Sequence, residues 1–83
     1  MTPDSTDVYG RILADMRGIW GEMAAAMLRK RLRDVQAELL TLTHDELVRI
    51  VELLRQRTLP SIMGEDGADV KARQYLEWIA NGS

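Results

Sequence analysis

The chain has no cysteine, no phenylalanine, one histidine and two prolines in 83 residues. Without cysteine it can form neither a disulfide nor a thiolate zinc site, and that composition suits a reducing compartment. One histidine does not make a histidine-ligand site, so no metal and no cofactor is expected. No apolar run approaches the ~20 residues that span a bilayer. The opening MTPDSTDVYGR is acidic and polar, unlike a signal peptide. The expectation is a cytoplasmic protein with no membrane partner. Neither sign of charge prevails: 11 Lys and Arg against 13 Asp and Glu give a net charge of −2. No long-range field therefore favours nucleic acid or anionic lipid.

Hydrophobic residues make up 46% of the chain. With no Phe, the core must come from Leu, Ile, Val, Met and Ala, a helical palette. The length is near the size at which one core is only marginally sufficient. Small domains gain stability from a staple or from association, and with both staples excluded, association is the remaining route.

Residues 1–5 read as a short lead-in. Ser5 or Thr6 can cap a first helix, with Asp4 and Asp7 favourable near its positive end. No proline follows until Pro60, and the apolar periodicity continues through Leu39 and Leu40, which predicts one long helix over about 6–40, with a break near Arg33–Asp34 as the alternative. In LTHDEL (42–47), Thr43 followed three residues later by Glu46 is a capping box, opening a second helix over about 44–58. TLPSIMGEDGAD (58–69) is a connection in which Pro60 stops that helix, while Leu59, Ile62 and Met63 tuck onto the core. A third helix over about 66–80 places Ala68, Ala72, Tyr75, Leu76 and Ile79 on one face, and Asn81-Gly82-Ser83 closes it. The expected fold is all-α: three helices in a single domain over 1–83, completed by dimerisation.

The stretch GIWG (18–21) places two glycines inside the predicted long helix, at about 1 kcal/mol each relative to alanine. Ala14, Gly18, Gly21, Ala25, Leu28, Leu32, Val35 and Leu39 recur at alternating spacings of 4 and 3 and continue to Leu42, a heptad seam that is small at one end and large at the other. In an antiparallel homodimer Ala14 meets the partner's Leu39, Gly18 the partner's Val35, Gly21 the partner's Leu32 and Ala25 the partner's Leu28. Each layer then pairs small with large. These eight residues are the expected dimer interface; the alternative is that the second or third helix folds onto the small end of the seam within one chain. A second stripe, Ile12, Met16, Ile19, Met23 and Met27 bordered by Trp20, is expected to receive the two shorter helices. The competing reading is that Met16, Met23, Met27 and Trp20 line an adaptable binding groove.

No catalytic residue is expected. His44 has no Ser, Cys or metal-ligand neighbour and reads as a surface residue. GEDGAD (64–69) misses the calcium-loop pattern and reads as an acidic helix start. RKRLR (29–33) spreads around a helix, and Asp34 and Glu38 offset its charge. One long Gly/Ala helix, LTHDEL and a shorter helix pair resemble, in layout alone, small helical modules of bacterial signalling proteins, and that likeness carries no functional residue across. The expected function is a non-enzymatic protein–protein interaction module, an adapter or small regulatory subunit that self-associates through its long helix. The alternative is a small nucleic-acid-associated regulator using the basic clusters at 29–33 and 55–57.

Overall fold

Asp4 begins the first helix by accepting a hydrogen bond from the Asp7 amide at 2.9 Å, one residue ahead of the expected Ser5 or Thr6 cap. The Thr6 hydroxyl donates instead to the Leu39 carbonyl at 2.8 Å. The structure, a computed structural model, describes residues 4–81; most of the lead-in and the Gly82–Ser83 end lie outside the described residues.

The long helix expected over 6–40 is two helices. α1 (Ser5–Trp20) ends at Gly21, whose backbone at φ 65° and ψ −142° is open almost only to glycine. After the Gly21–Glu22 turn the chain restarts as α2 (Met23–Asp34). A continuous helix over 6–40 would be ~50 Å long, whereas the longest dimension of the molecule is 35 Å. α2 closes in a Schellman turn: the Ala37 amide bonds to the Leu32 carbonyl at 3.1 Å and the Gln36 amide to the Arg33 carbonyl at 3.0 Å. Gln36 holds the left-handed position (φ 56°) that glycine usually takes.

A 3₁₀ turn at Leu39–Thr41 leads to the capping box that the sequence specifies. The Glu46 amide donates to Thr43 Oγ1 at 3.2 Å, and the Thr43 amide donates to Glu46 Oε1 at 2.9 Å. α3 (His44–Leu53) follows and widens into a π-helical turn, Leu54–Thr58, closed by the Leu59 amide on the Leu54 carbonyl at 2.8 Å. Pro60 accounts for the widening, since its ring clashes with an α-helical carbonyl four residues back. Its fixed φ and missing N–H suit a first helical turn, and α4 (Pro60–Asn81) starts there, ahead of the predicted 66. Gly64 kinks α4 at φ 77° and ψ 168°, again a glycine conformation. Among the described residues the architecture is therefore all-helical, with four α-helices instead of three, and the part of α4 after Gly64 matches the helix predicted over 66–80.

One core joins them. Val8, Tyr9, Ile12 and Met16 of α1 meet Ala24 and Leu28 of α2, Leu47, Ile50, Val51 and Leu54 of α3 and its π turn, and Ala68, Ala72, Tyr75 and Ile79 of α4. The face predicted for the last helix holds, with Leu76 half-buried at its border. Leu59 is fully buried and Met63 half-buried, as expected, but Ile62 is exposed. The second stripe is split by the corner: Ile12 and Met16 are buried, whereas Ile19 and Met23 are exposed and Met27 is half-buried.

The two glycines of GIWG now separate. A methyl group on either would meet nothing within 4 Å, but only Gly21 has a positive φ. Gly21→Ala is expected to lower stability by ~1–3 kcal/mol through backbone strain. Gly18→Ala, inside α1, should raise it by nearly 1 kcal/mol through helix propensity. Urea unfolding of the two variants beside the unsubstituted protein checks the opposite signs.

Candidate functional site

Two polar constellations stand out from the rest of the surface. The first joins α1 to α4. Asp15 Oδ2 accepts from the Tyr75 hydroxyl at 2.6 Å and from Lys71 Nζ at 3.1 Å, and Lys71 also donates to Gln74 Oε1 at 3.0 Å. Burial, then the hydrogen bond to Asp15 and the Asp15 charge, push the Tyr75 hydroxyl well above its usual range. Burial also works to raise the Asp15 pKa, but the hydrogen bonds from Tyr75 and Lys71 and the Lys71 charge outweigh it and hold the carboxyl below the usual range. At neutral pH the phenol keeps its proton and the carboxylate stays ionised, so the pair is set against proton transfer. The cluster clamps two helices, and Arg11 lying 4.1 Å over the Trp78 ring adds to the same junction.

The second constellation is an open groove of about 340 Å³ between α2 and the corner where the π turn enters α4. Met23, Met27, Lys30 and Arg31 form one wall, at i, i+4, i+7 and i+8, a single helix face. Arg57, Thr58, Ser61 and Ile62 form the other. The Ser61 hydroxyl donates to the Thr58 carbonyl at 2.9 Å, which fixes the corner. Met23 is 66% exposed and Ile62 42% exposed. The volume is at the low end for small-molecule pockets and suits a few inserted side chains better than an enclosed cofactor.

Arg31 is the unusual member of this groove. Its side chain is 6% exposed, and its one ion pair is with Asp34, 3.3 Å from Nη2. Nε and Nη1 are buried without a hydrogen-bond partner among the described residues. A buried guanidinium that leaves donors unused costs several kcal/mol in lost hydration.

The seam residues are distributed differently from a stripe. Leu28 and Val35 are buried in the protomer's own core, as is Leu42. Ala25 and Leu32 are half-buried, and Ala14, Gly18, Gly21 and Leu39 are exposed. With a corner at Gly21 and the end of α2 at Asp34, the straight antiparallel pairing has no rod to run along. Of the competing Met/Trp reading, Met23 and Met27 line the groove, but Met16 is buried. The basic cluster divides: Lys30 and Arg31 share the groove wall, while Arg29 lies near enough to Tyr9 to oppose the burial that raises the tyrosine's pKa. Arg57 comes to the same groove, but Arg55 turns away to Glu52 at 3.1 Å and Asp69 at 3.5 Å. His44 is exposed in the first turn of α3. Among the described residues no group of acidic or histidine side chains could hold a metal, and no helix is long and apolar enough to cross a membrane.

Sequence reasoning missed Thr58, Ser61 and Ile62 as site residues. The available signal was an Ile two residues after a proline, which reads as loop until Pro60 is known to start a helix. Comparison of the chain with protein-family models, with curated proteins and with solved structures finds no match.

Two outcomes are expected. Arg31→Met should leave stability unchanged or raise it, by up to ~1–4 kcal/mol, because an apolar side chain of similar size ends the desolvation cost. A clearly lower thermal midpoint would make Arg31 a structural residue. Asp15→Asn should lose ~1–3 kcal/mol at pH 7, the range for hydrogen bonds to a charged group. The folded pKa of Asp15 lies below the unfolded value of about 3.9. Its contribution is therefore full above pH ~4 and is lost as the pH falls through the folded value. Thermal melts from pH 7 down to 2 should show the gap between the protein and Asp15→Asn narrowing below pH 4.

Proposed function

We propose that this chain is a non-enzymatic protein–protein interaction module, an adapter or small regulatory subunit, and that the groove between α2 and the α4 corner is the surface that meets the partner. The observation that carries the reading is the combination of exposed Met23 and Ile62 with a buried, incompletely partnered Arg31 in one groove. Methionine-lined surfaces adapt to the side chains of a partner, and arginine is enriched at the cores of interfaces. The Asp15–Lys71–Tyr75 cluster is consistent with a scaffold, because its groups are held in the protonation states that stabilise one another.

Self-association belongs to this proposal as one kind of partnership, now without the long helix as its seam. The nucleic-acid reading draws on Lys30, Arg31 and Arg57 sharing one groove. Against it stands the apolar share of the lining, Met23, Met27 and Ile62, which phosphates would not cover.

A photo-crosslinking side chain placed at Ile62, and in a second protein at Val70, which is exposed but outside the groove, tests the reading in cells that express the chain natively. Discrete protein adducts from position 62 that position 70 does not give are the expected result. A species of twice the chain's mass would identify a second copy as the partner. Adducts that nuclease removes would favour the nucleic-acid regulator, and no adduct beyond the position 70 control would overturn the reading.

A further inference from the structure

Resting on the interaction reading, we propose that the groove receives an acidic amphipathic segment of another protein, its apolar side chains on Met23, Met27 and Ile62 and one of its carboxylates on Arg31. Three observations fix this chemistry. Every charged residue that lines the groove is a cation: Lys30, Arg31 and Arg57. An acidic ligand therefore meets complementary charge on both walls. Lys30 and Arg57 form no ion pair among the described residues, unlike Arg55, held by Glu52 and Asp69, and Lys71, held by Asp15, so both are free to meet a ligand's charge.

Next, Arg31 has two buried nitrogens, Nε and Nη1, with no acceptor among the described residues. Nε and Nη1 lie on opposite edges of the guanidinium, so a ligand carboxylate takes the end of the group, accepting from Nη1 beside the Nη2 that faces Asp34. A ligand carboxylate supplies what Asp34, on Nη2, does not. Finally, a purely ionic ligand would leave Met23 and Ile62 in water, and these are among the most exposed large apolar residues of the chain. The partner must bring apolar side chains as well as charge. An amphipathic helix does both, laying anchors at i, i+3, i+4 and i+7 along a groove. A nucleic acid offers phosphates but little that would cover Met23, Met27 and Ile62.

Selection of displayed random 16-residue peptides on the full chain tests the proposal. The expected binders carry Asp or Glu beside Leu, Ile, Met or Phe at helical spacing. Their amide shifts in the isotope-labelled chain should centre on Met23, Met27, Lys30 and 57–62. Changing the acidic residues of the best peptide to Asn and Gln, or the chain to Lys30→Glu with Arg57→Glu, should each weaken binding tenfold or more. Circular dichroism establishes that the doubly substituted chain remains folded. Arg31→Met should also weaken the acidic peptide and leave its amidated counterpart unaffected. Binders without acidic enrichment, binders mapping to another face, or a selection that yields none would overturn the proposal. Adducts at Ile62 in cells would then still support an interaction module with a partner of different chemistry. A 16-nucleotide single strand binding the groove more tightly than any peptide, with a steep salt dependence lost in Lys30→Glu/Arg57→Glu, would replace the acidic peptide with nucleic acid.

Discussion

The backbone of Gly21 is the constraint on which the rest of this fold depends. A residue with a side chain at φ 65° and ψ −142° would cost ~1–3 kcal/mol, a sizeable share of what a small domain has in total. Glycine makes the corner accessible, and the corner brings α2 back beside α1 so that Ala24 and Leu28 reach the core with Ile12 and Met16. A straight helix would have sent Leu28 some 24 Å beyond Ile12, at 1.5 Å per residue, too far to share one core. The chain thus stabilises itself by folding a rod in half, which reduces the need for a second copy.

The same corner creates the surface proposed to function. Ile12, Met16, Ile19, Met23 and Met27 would be one stripe on a continuous helix. Ile12 and Met16 lie inside, Ile19 is exposed at the end of α1, and the bend after Trp20 places Met23 outside as well. The π turn contributes the facing wall. It passes the clash from Pro60 into a wider ring, sends Arg55 to Glu52 and Asp69, and leaves Arg57 and Thr58 at the groove. Two local backbone departures, a glycine corner and a wide helical turn, therefore place the walls of one groove opposite each other.

Helix content, the capping box at Thr43 and Glu46 and the buried face of the last helix were legible because each depends on residues within one or two turns. Chain reversal was harder to read. Gly21 was visible, but a glycine in a helix serves equally as a stop or as space for a neighbour, and only its φ distinguishes the two. The end of α2 was legible only as an alternative break near Arg33–Asp34, because Gln36 occupies the Schellman position where glycine would have announced it. The alternating 4 and 3 spacing misled for a related reason. Leu28, Val35 and Leu42 are each buried, so the repeat continues across a helix, its closing turn and an extended segment that all supply apolar residues to one core. Pro60 was read as a stop, yet the property that ends α3 also starts α4. The groove was half legible: its methionines and basic residues were named, but their meeting with Ile62 is a tertiary fact.

Charge placement separates scaffold from surface more sharply than net charge does. Lys71 is engaged by Asp15 and Gln74, Arg55 by Glu52 and Asp69, and Arg11 by the Trp78 ring. These cations fasten one helix to another or brace a turn, and the chain supplies their partners itself. Arg31 is more deeply buried than Lys71 but has half the provision, with one ion pair and two idle nitrogens. Folding alone would favour a methionine there, since desolvating a guanidinium costs more than a single imperfect ion pair returns. A net charge of −2 hides this imbalance because, apart from Asp34 on Arg31, the acids that offset the groove's cations do not line it. The electrostatics that matter for recognition are therefore local, acting within the Debye length of about 8 Å at physiological salt. At that range a carboxylate entering the groove meets Lys30, Arg31 and Arg57 before it meets the acidic remainder of the molecule.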